Sequence, residues 1–384
     1  MKSAAKRFLD VLSSLQLTIL CLSLLMALIV FCTLDQVHLG TFGAVDKYFR
    51  HFFLYGPSDG FARRLPVFPG GGMVGSILLL NLSASHFYRF QWTRQKSGIW
   101  LIHAGLIVLV LGEFVTGMLA VESQMAVEEG FSRNYTESPR LTELAIVDAS
   151  SKEHDEVYSI PESILSRQKV IRHAKLPFSI LVKKYYENST LADNPGWLRE
   201  LPSLATMGVG KKIIVRPAAP VSRDDEANQV SAFVELMDGD RSLGAWLVST
   251  AVDAPQGFSY LGVPYRLALR HKRTYLPFTI FLKDFKHDLY PGTEIPKNFS
   301  SAVLLTNAAK KENREALIYM NHPLYYEGKT FYQASFAKND TVSIFQVVEN
   351  PGWVLPYIAF ILVGVGLLTQ FLTHLLSFKA ESNP

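Results

Sequence analysis

The run IWLIHAGLIVLVLGEFVTGM, from Ile99 to Met118, limits what this chain can become more than any other part of it. Its twenty residues carry two ionisable side chains, His103 and Glu113, and Arg94 and Lys96 stand just before it. At about 1.5 Å of rise per residue, a helix of this length crosses the roughly 30 Å apolar layer of a bilayer. A histidine inside it must find a hydrogen-bond partner, a metal or a water-filled cavity, because lipid offers none of these.

Three further apolar runs follow the same logic. Leu15 to Leu34 comes after Lys2, Lys6 and Arg7. It is longer than the apolar part of a secretory signal and no small-residue cleavage site follows, so it reads as a retained span. Met73 to Tyr88 is a more polar span, interrupted by Asn81, three serines and His86, and a run of that kind packs against other helices. Trp353 to Phe378 is the last span, followed by Lys379 and a short polar tail. Asp35 to Gly72 reads as a connecting loop ending in Pro- and Gly-rich sequence. The expected organisation is a three-helix membrane region over 1–118, with spans at 15–34, 73–88 and 99–118 and an extracytoplasmic loop at 35–72. An extracytoplasmic β-rich region fills 119–350, and a fourth transmembrane helix with a short cytoplasmic tail fills 351–384.

Basic residues set the orientation. Lys2, Lys6 and Arg7, and then Arg89, Arg94 and Lys96, mark two cytoplasmic flanks by the positive-inside rule, while Arg63 and Arg64 weigh against it. The large region then faces outward from a cytoplasmic (inner) membrane.

Residues 119–350 are rich in short β-branched and aromatic runs bounded by turn residues, among them FTIFLKDF, SAVLLTN, ALIYMN and VSIFQVV. FVELMDGDRSLGAWLV reads as a hairpin around Asp-Gly, residues that tolerate the positive φ of such turns. HAKLPFSILVKKYYENS, from His173, resembles TYLPFTIFLKDFKHDLY, from Thr274, which points to two related sandwich-like units or to two strands that begin alike.

Several functions are excluded. A net charge of +4 without a dense basic block gives no support for nucleic-acid binding. The two cysteines, Cys21 and Cys32, lie about 16 Å apart along one helix, too far to bridge, and there is no C-x-x-C. Gly70 to Gly75 satisfies G-x-G-x-x-G but opens a membrane span after a proline-rich loop, and no hydrolase motif is present.

Of ten histidines, His38, His51, His154, His173, His271, His287 and His374 lack partners at metal-ligand spacing, and His322 belongs to a turn. His86 and His103 differ. The short connection between their spans makes those helices antiparallel neighbours, with both imidazoles at similar depth. Imidazole is a usual axial ligand of haem iron. On the residues alone, His103 is divided evenly between a ligand and a packing contact, and His86 is more often a packing contact.

The order of spans, W-x-x-H-A-G-L at Trp100, Glu-Glu-Gly at Glu128, Asn-His-Pro-Leu at Asn321, GKTFYQASF at Gly328 and Asn-Pro-Gly-Trp at Asn350 resemble the ResB (CcsB) family of System II cytochrome c biogenesis proteins. The resemblance implies a haem-handling membrane subunit that works with a ResC (CcsA) partner to carry b-type haem across the membrane for attachment to apocytochrome c. It makes His103 a haem-iron ligand, with the second ligand sought on the partner first and at His86 second. It implies at most one subunit of a haem lyase complex, since no tryptophan-rich loop is formed by Trp92, Trp100, Trp197, Trp246 and Trp353. The rival expectation is a membrane-anchored envelope scaffold without haem. Glu113 is more often a carboxylate reaching the headgroups than a functional group.

Overall fold

The computed structural model describes residues 2–55, 66–89, 93–151, 154–193, 203–221, 227–293, 296–337 and 341–382. Arg63, Arg64, Trp92 and Trp197 lie outside them. Among the described residues, three helices are long and apolar enough to cross a membrane, over Leu15–Phe49, Arg94–Leu119 and Leu355–Leu376. With the large β-rich region between the second and third of these, the chain is a membrane protein of mixed architecture.

A short helix, α1 (Lys2–Leu12), precedes α2 (Leu15–Phe49). Ser14 caps α2, its side chain accepting from the Leu17 amide at 3.3 Å. The expected loop after Leu34 begins as helix instead. α2 continues to Phe49 through a kink at Gly40, where φ is 69° and ψ 172°. Asp35 sustains this continuation by accepting from Lys47 Nζ at 2.6 Å and Tyr48 Oη at 2.9 Å across the kink. A charge that reads as a helix end in sequence is satisfied by residues one bend later.

A small hairpin, β1 (Phe53–Tyr55) with β2 (Pro66–Pro69), leads into α3 (Gly71–Ala84). The glycines at Gly70 to Gly75 therefore do join a strand to a helix, but from an antiparallel pair rather than a βαβ unit. A Cβ at Gly70 would sit 2.1 Å from the His51 carbonyl oxygen, so close packing accounts for it. α3 ends in a π-helical turn, Ser85–Arg89. The connection then enters α4 (Ser97–Leu119), and α6 (Leu355–Ser382) closes the chain, the four-residue α5 (Glu162–Leu165) lying within the β region.

The β region runs from β3 (Val121–Glu128) and β4 (Ser132–Asp148) through β5 (Glu156–Pro161), β6 (Val170–Arg172), β7 (Ser179–Tyr186), β8 (Ser189–Asp193) and β9 (Ile213–Pro217). It continues with β10 (Ser231–Asp238), β11 (Arg241–Ser249), β12 (Gln256–Tyr260), β13 (Val263–Leu289) and β14 (Pro296–Asn307). The last strands are β15 (Glu312–Tyr319), β16 (Leu324–Tyr326), β17 (Lys329–Ala337) and β18 (Val342–Glu349). The Asp-Gly hairpin forms as expected, with Asp238 opposite Arg241.

Two large cores fill this region, beside a small cluster of Ala205, Phe233 and Leu247. One lies between the sheet β11-β10-β7-β6 and the first half of β13 with the second half of β4, and centres on Leu144, Ile180, Leu236, Trp246 and Leu267. The other centres on Met125, Ile280, Val303, Phe331 and Phe345. The long strand β13 serves both. The two Leu-Pro-Phe segments land in different cores in equivalent ways: Leu176, Phe178 and Ile180 are buried in the first, Leu276, Phe278 and Ile280 in the second. In β13 the segment falls where the ladder to β4 shifts register between Tyr275 and Ile280, which is where a strand tolerates Pro277.

Candidate functional site

The site is built on α4, whose two faces do different work. Gly98, Gly105 and Gly112 recur every seven residues and are buried against α6. A Cβ at Gly98 would lie 2.6 Å from the Gly366 carbonyl oxygen, one at Gly105 2.9 Å from that of Ala359, and one at Gly112 2.8 Å from Leu355 Cβ. Without a strong hydrophobic force between helices in lipid, such small residues let backbones approach closely and gain dispersion contacts. The Asn-Pro-Gly-Trp segment fastens the far end of this seam. Asn350 Nδ2 donates to Thr116 Oγ1 at 3.2 Å, and the Gly352 amide donates to Asn350 Oδ1 at 2.8 Å.

His103 stands two positions from Gly105, about 200° around the helix, and so faces away from the seam. There it meets His86, carried on the π-helical turn that ends α3. The imidazole centroids are 6.3 Å apart with their planes inclined at 58°. Trp100, one turn before His103, packs on His86 at 4.8 Å, and Phe87 meets it edge-on at 4.8 Å. His86 is buried, at 4% exposure, and His103 is half-buried. The Nδ1 atom of His103 is buried with no hydrogen-bond partner among the described residues. Single π-turns inside helices are frequent at functional sites, and this one sets the ring of His86 towards α4.

Polar side chains hold the π-turn in place. Asn81 Nδ2 donates to the Leu12 and Ser14 carbonyls at 2.6 and 3.0 Å, and Asn81 Oδ1 accepts from Thr18 Oγ1 at 2.6 Å. Ser85 Oγ and an Arg89 guanidinium nitrogen both donate to the Ser13 carbonyl at 3.2 Å. These contacts satisfy the backbone at the break between α1 and α2, and they fix the residues on either side of His86. Asn81 is 1% exposed, so the polarity of this helix faces protein, not lipid.

The remaining candidates separate from the pair. Glu113 is exposed on α4. His322 sits in the turn after β15, stacked on Tyr319 at 4.1 Å, with Asn321 at φ 62°. His271 borders a cavity of about 360 Å³ together with Gln124, Glu137 and Thr142. His173 packs on Tyr158 and His287 between Phe299 and Phe336. In the β region several ionisable groups make contacts that hold the fold. Burial, and then the hydrogen bond to Glu162, pushes the Tyr185 phenol up, while Thr142 donates to the same carboxylate at 2.8 Å. Glu143 is buried against Arg270 at 2.9 Å.

Trp100, Asn81, Asn350 and the seven-residue glycine spacing were not singled out from sequence as parts of the site. The glycine period was visible there, and W-x-x-H placed Trp100 and His103 on one helix face.

The site's chemistry follows from its donors. Two imidazoles can address one metal ion, and no group of three His, Cys, Asp or Glu able to hold a metal exists among the described residues. A bare ion held here would lack ligands, whereas iron in a porphyrin brings its equatorial ligands with it and takes its axial ones from imidazole. The residues present fit such a group.

A membrane protein with paired imidazoles in its helices and a two-core β region is the class defined so far. Comparison with known proteins narrows it: residues 249–350 match the ResB-like family, as the motifs in that part of the chain implied. Protein NrfI of Wolinella succinogenes is 33% identical over 104 residues, 27% of this chain and 12% of that protein. The chain thus spans a small part of the length of that relative. The family match covers β12 to β18 and Asn350, and both histidines lie outside it.

Proposed function

We propose that this chain is a haem-handling subunit of a cytochrome c assembly complex in the cytoplasmic (inner) membrane. It takes haem from the cytoplasmic side and presents it for attachment to apocytochrome c on the outer side, together with a ResC (CcsA)-type partner that carries a tryptophan-rich loop. The ResB-like segment supports the pathway, and the observation that carries the haem role is the His86–His103 pair, 6.3 Å apart on facing helices. In this reading α3 with its π-turn is a fourth span, short and polar because it packs on α1 and α2. The β region at 119–350 is then extracytoplasmic, and residues 1–118 and 351–384 form the membrane part.

Each residue has a task. His103 offers an imidazole nitrogen from the face of α4 that α6 leaves uncovered. His86 offers a second, held by Trp100 and by the Asn81 network behind it. The apolar helix walls exclude water from the bound group. Haem supplies the redox and thioether chemistry when it is bound, and the chain holds and orients it. No stand-alone catalytic group is assigned.

The test is an absorption spectrum. The protein purified in detergent with its partner shows a Soret band, and His103→Ala shifts or removes it. A wild-type protein without a Soret band, even with the partner present, favours the scaffold reading, in which the imidazoles only pack two helices together.

A further inference from the structure

The β ladder that continues α4 and α6 also sets the height of one hairpin. Ala120 alone separates α4 from β3, and β18 leads back to α6 through the Asn350 staple. Val121 pairs with Glu349, Glu349 with Lys329, and Lys329 with Tyr326, so these four residues form one row across the sheet at its membrane end. The turn beyond that row, Glu327–Gly328 with φ of 49° and 72°, therefore lies level with the point where α4 ends and α6 begins. An ion pair between Lys329 and Glu349 holds the row together.

The outward side chains at this level are aromatic and open. Tyr325 is 65% exposed, Trp353 60% and Tyr357 62%. Trp353 and Tyr357 stand 6.0 Å apart, and Tyr332 lies within electrostatic reach of both Tyr325 and Tyr357. Tyrosine and tryptophan combine an apolar ring with a polar tip, which suits the boundary between hydrocarbon and headgroups. The patch is also continuous with the first turn of α6, a helix long and apolar enough to cross the membrane.

We propose that the β16–β17 tip and the first turn of α6 form one aromatic shelf that rests among phospholipid headgroups. The β region thereby gains a contact with the membrane besides its two covalent links, and its tilt over the bilayer is fixed. This is independent of the haem reading.

Depth-dependent quenching tests it on the full chain. In a Cys21→Ala, Cys32→Ala background, Tyr325→Cys carries an environment-sensitive NBD probe, and the protein is reconstituted into phosphatidylcholine vesicles. The probe loses emission to spin labels on the lipid headgroup, and loses less to labels deep in the acyl chain. The same probe at Leu261→Cys, an exposed turn of the first core, is not quenched. Tyr332→Cys carries the same expectation as Tyr325→Cys should that variant not fold. Emission like that of the Leu261 probe, or shielded emission that lipid-borne labels do not quench, overturns the proposal. The second of these outcomes means that protein, not lipid, covers the shelf.

Discussion

The two faces of α4 are packed by opposite rules. Towards α6, three glycines remove side chains so that backbones meet, and almost nothing chemical is left on the surface. Towards α3, large rings and the His103 imidazole, its buried Nδ1 without a hydrogen-bond partner among the described residues, are placed where a plain helix contact would use leucine and alanine. In lipid a polar group without a partner is expensive, so it persists where something outside the fold repays it. The comparison separates what holds the helices from what the helices hold.

The largest effect should come from the seam. Gly105→Leu must displace Val363 and the Ala359 carbonyl, since a Cβ alone would lie 2.7 and 2.9 Å from them. Overpacking of this kind costs about 1–3 kcal/mol or more. Thermal melting in detergent should show a clear fall, with loss of any haem following the loss of fold. An unshifted melt would mean that α4 and α6 do not meet through these glycines.

Next comes the network behind His86. Asn81→Leu removes the side-chain partner of the Leu12 carbonyl, and it leaves the Ser14 carbonyl and the Thr18 hydroxyl with only the long 3.4 Å contacts between residues 14 and 18. Leaving buried polar groups unsatisfied costs about 1–3 kcal/mol each, less whatever alternative pairing they find. The variant should melt earlier and bind haem more weakly, because the π-turn loses its anchor. Retention of both properties would cut the link between the stitch and the imidazole.

A smaller effect is expected in the β region, where charge serves the fold. Glu235 accepts from Ser242 at 2.6 Å and pairs with Lys183 at 3.0 Å, and these contacts hold its carboxyl below the usual range. A depressed folded-state pKa contributes stability above the unfolded carboxylate pKa, and that contribution is lost as pH falls through the folded value. Wild-type protein should therefore lose its melting advantage over Glu235→Gln on acidification. The advantage at neutral pH is of the order of 1 kcal/mol or less, as for other partly solvated pairs. An advantage that grows in acid would reverse the assignment.

What could be read from sequence followed locality. The α4 and α6 spans are long apolar runs, the Asp-Gly hairpin closes within a few residues, and the Leu-Pro-Phe segments carry their alternation with them. Asn81 appeared only as a weakness in a span, because the carbonyls it serves at Leu12 and Ser14 are far away along the chain. Asp35 likewise looked like the end of a helix until Lys47 and Tyr48 came round the Gly40 kink to meet it. His86 and His103 were paired on the strength of a short connection. Their inclination and the Trp100 contact depend on a π-turn that no residue pattern announces.

The division between the two faces of α4 is tested most directly by recording the melt and the visible spectrum of His103→Ala side by side. Removing a half-buried imidazole whose Nδ1 has no hydrogen-bond partner among the described residues should leave the melting temperature of the haem-free protein close to wild type. The Soret band of the complex should shift or disappear. A lowered melt with an unchanged Soret band would contradict the account, making His103 part of what holds the helices.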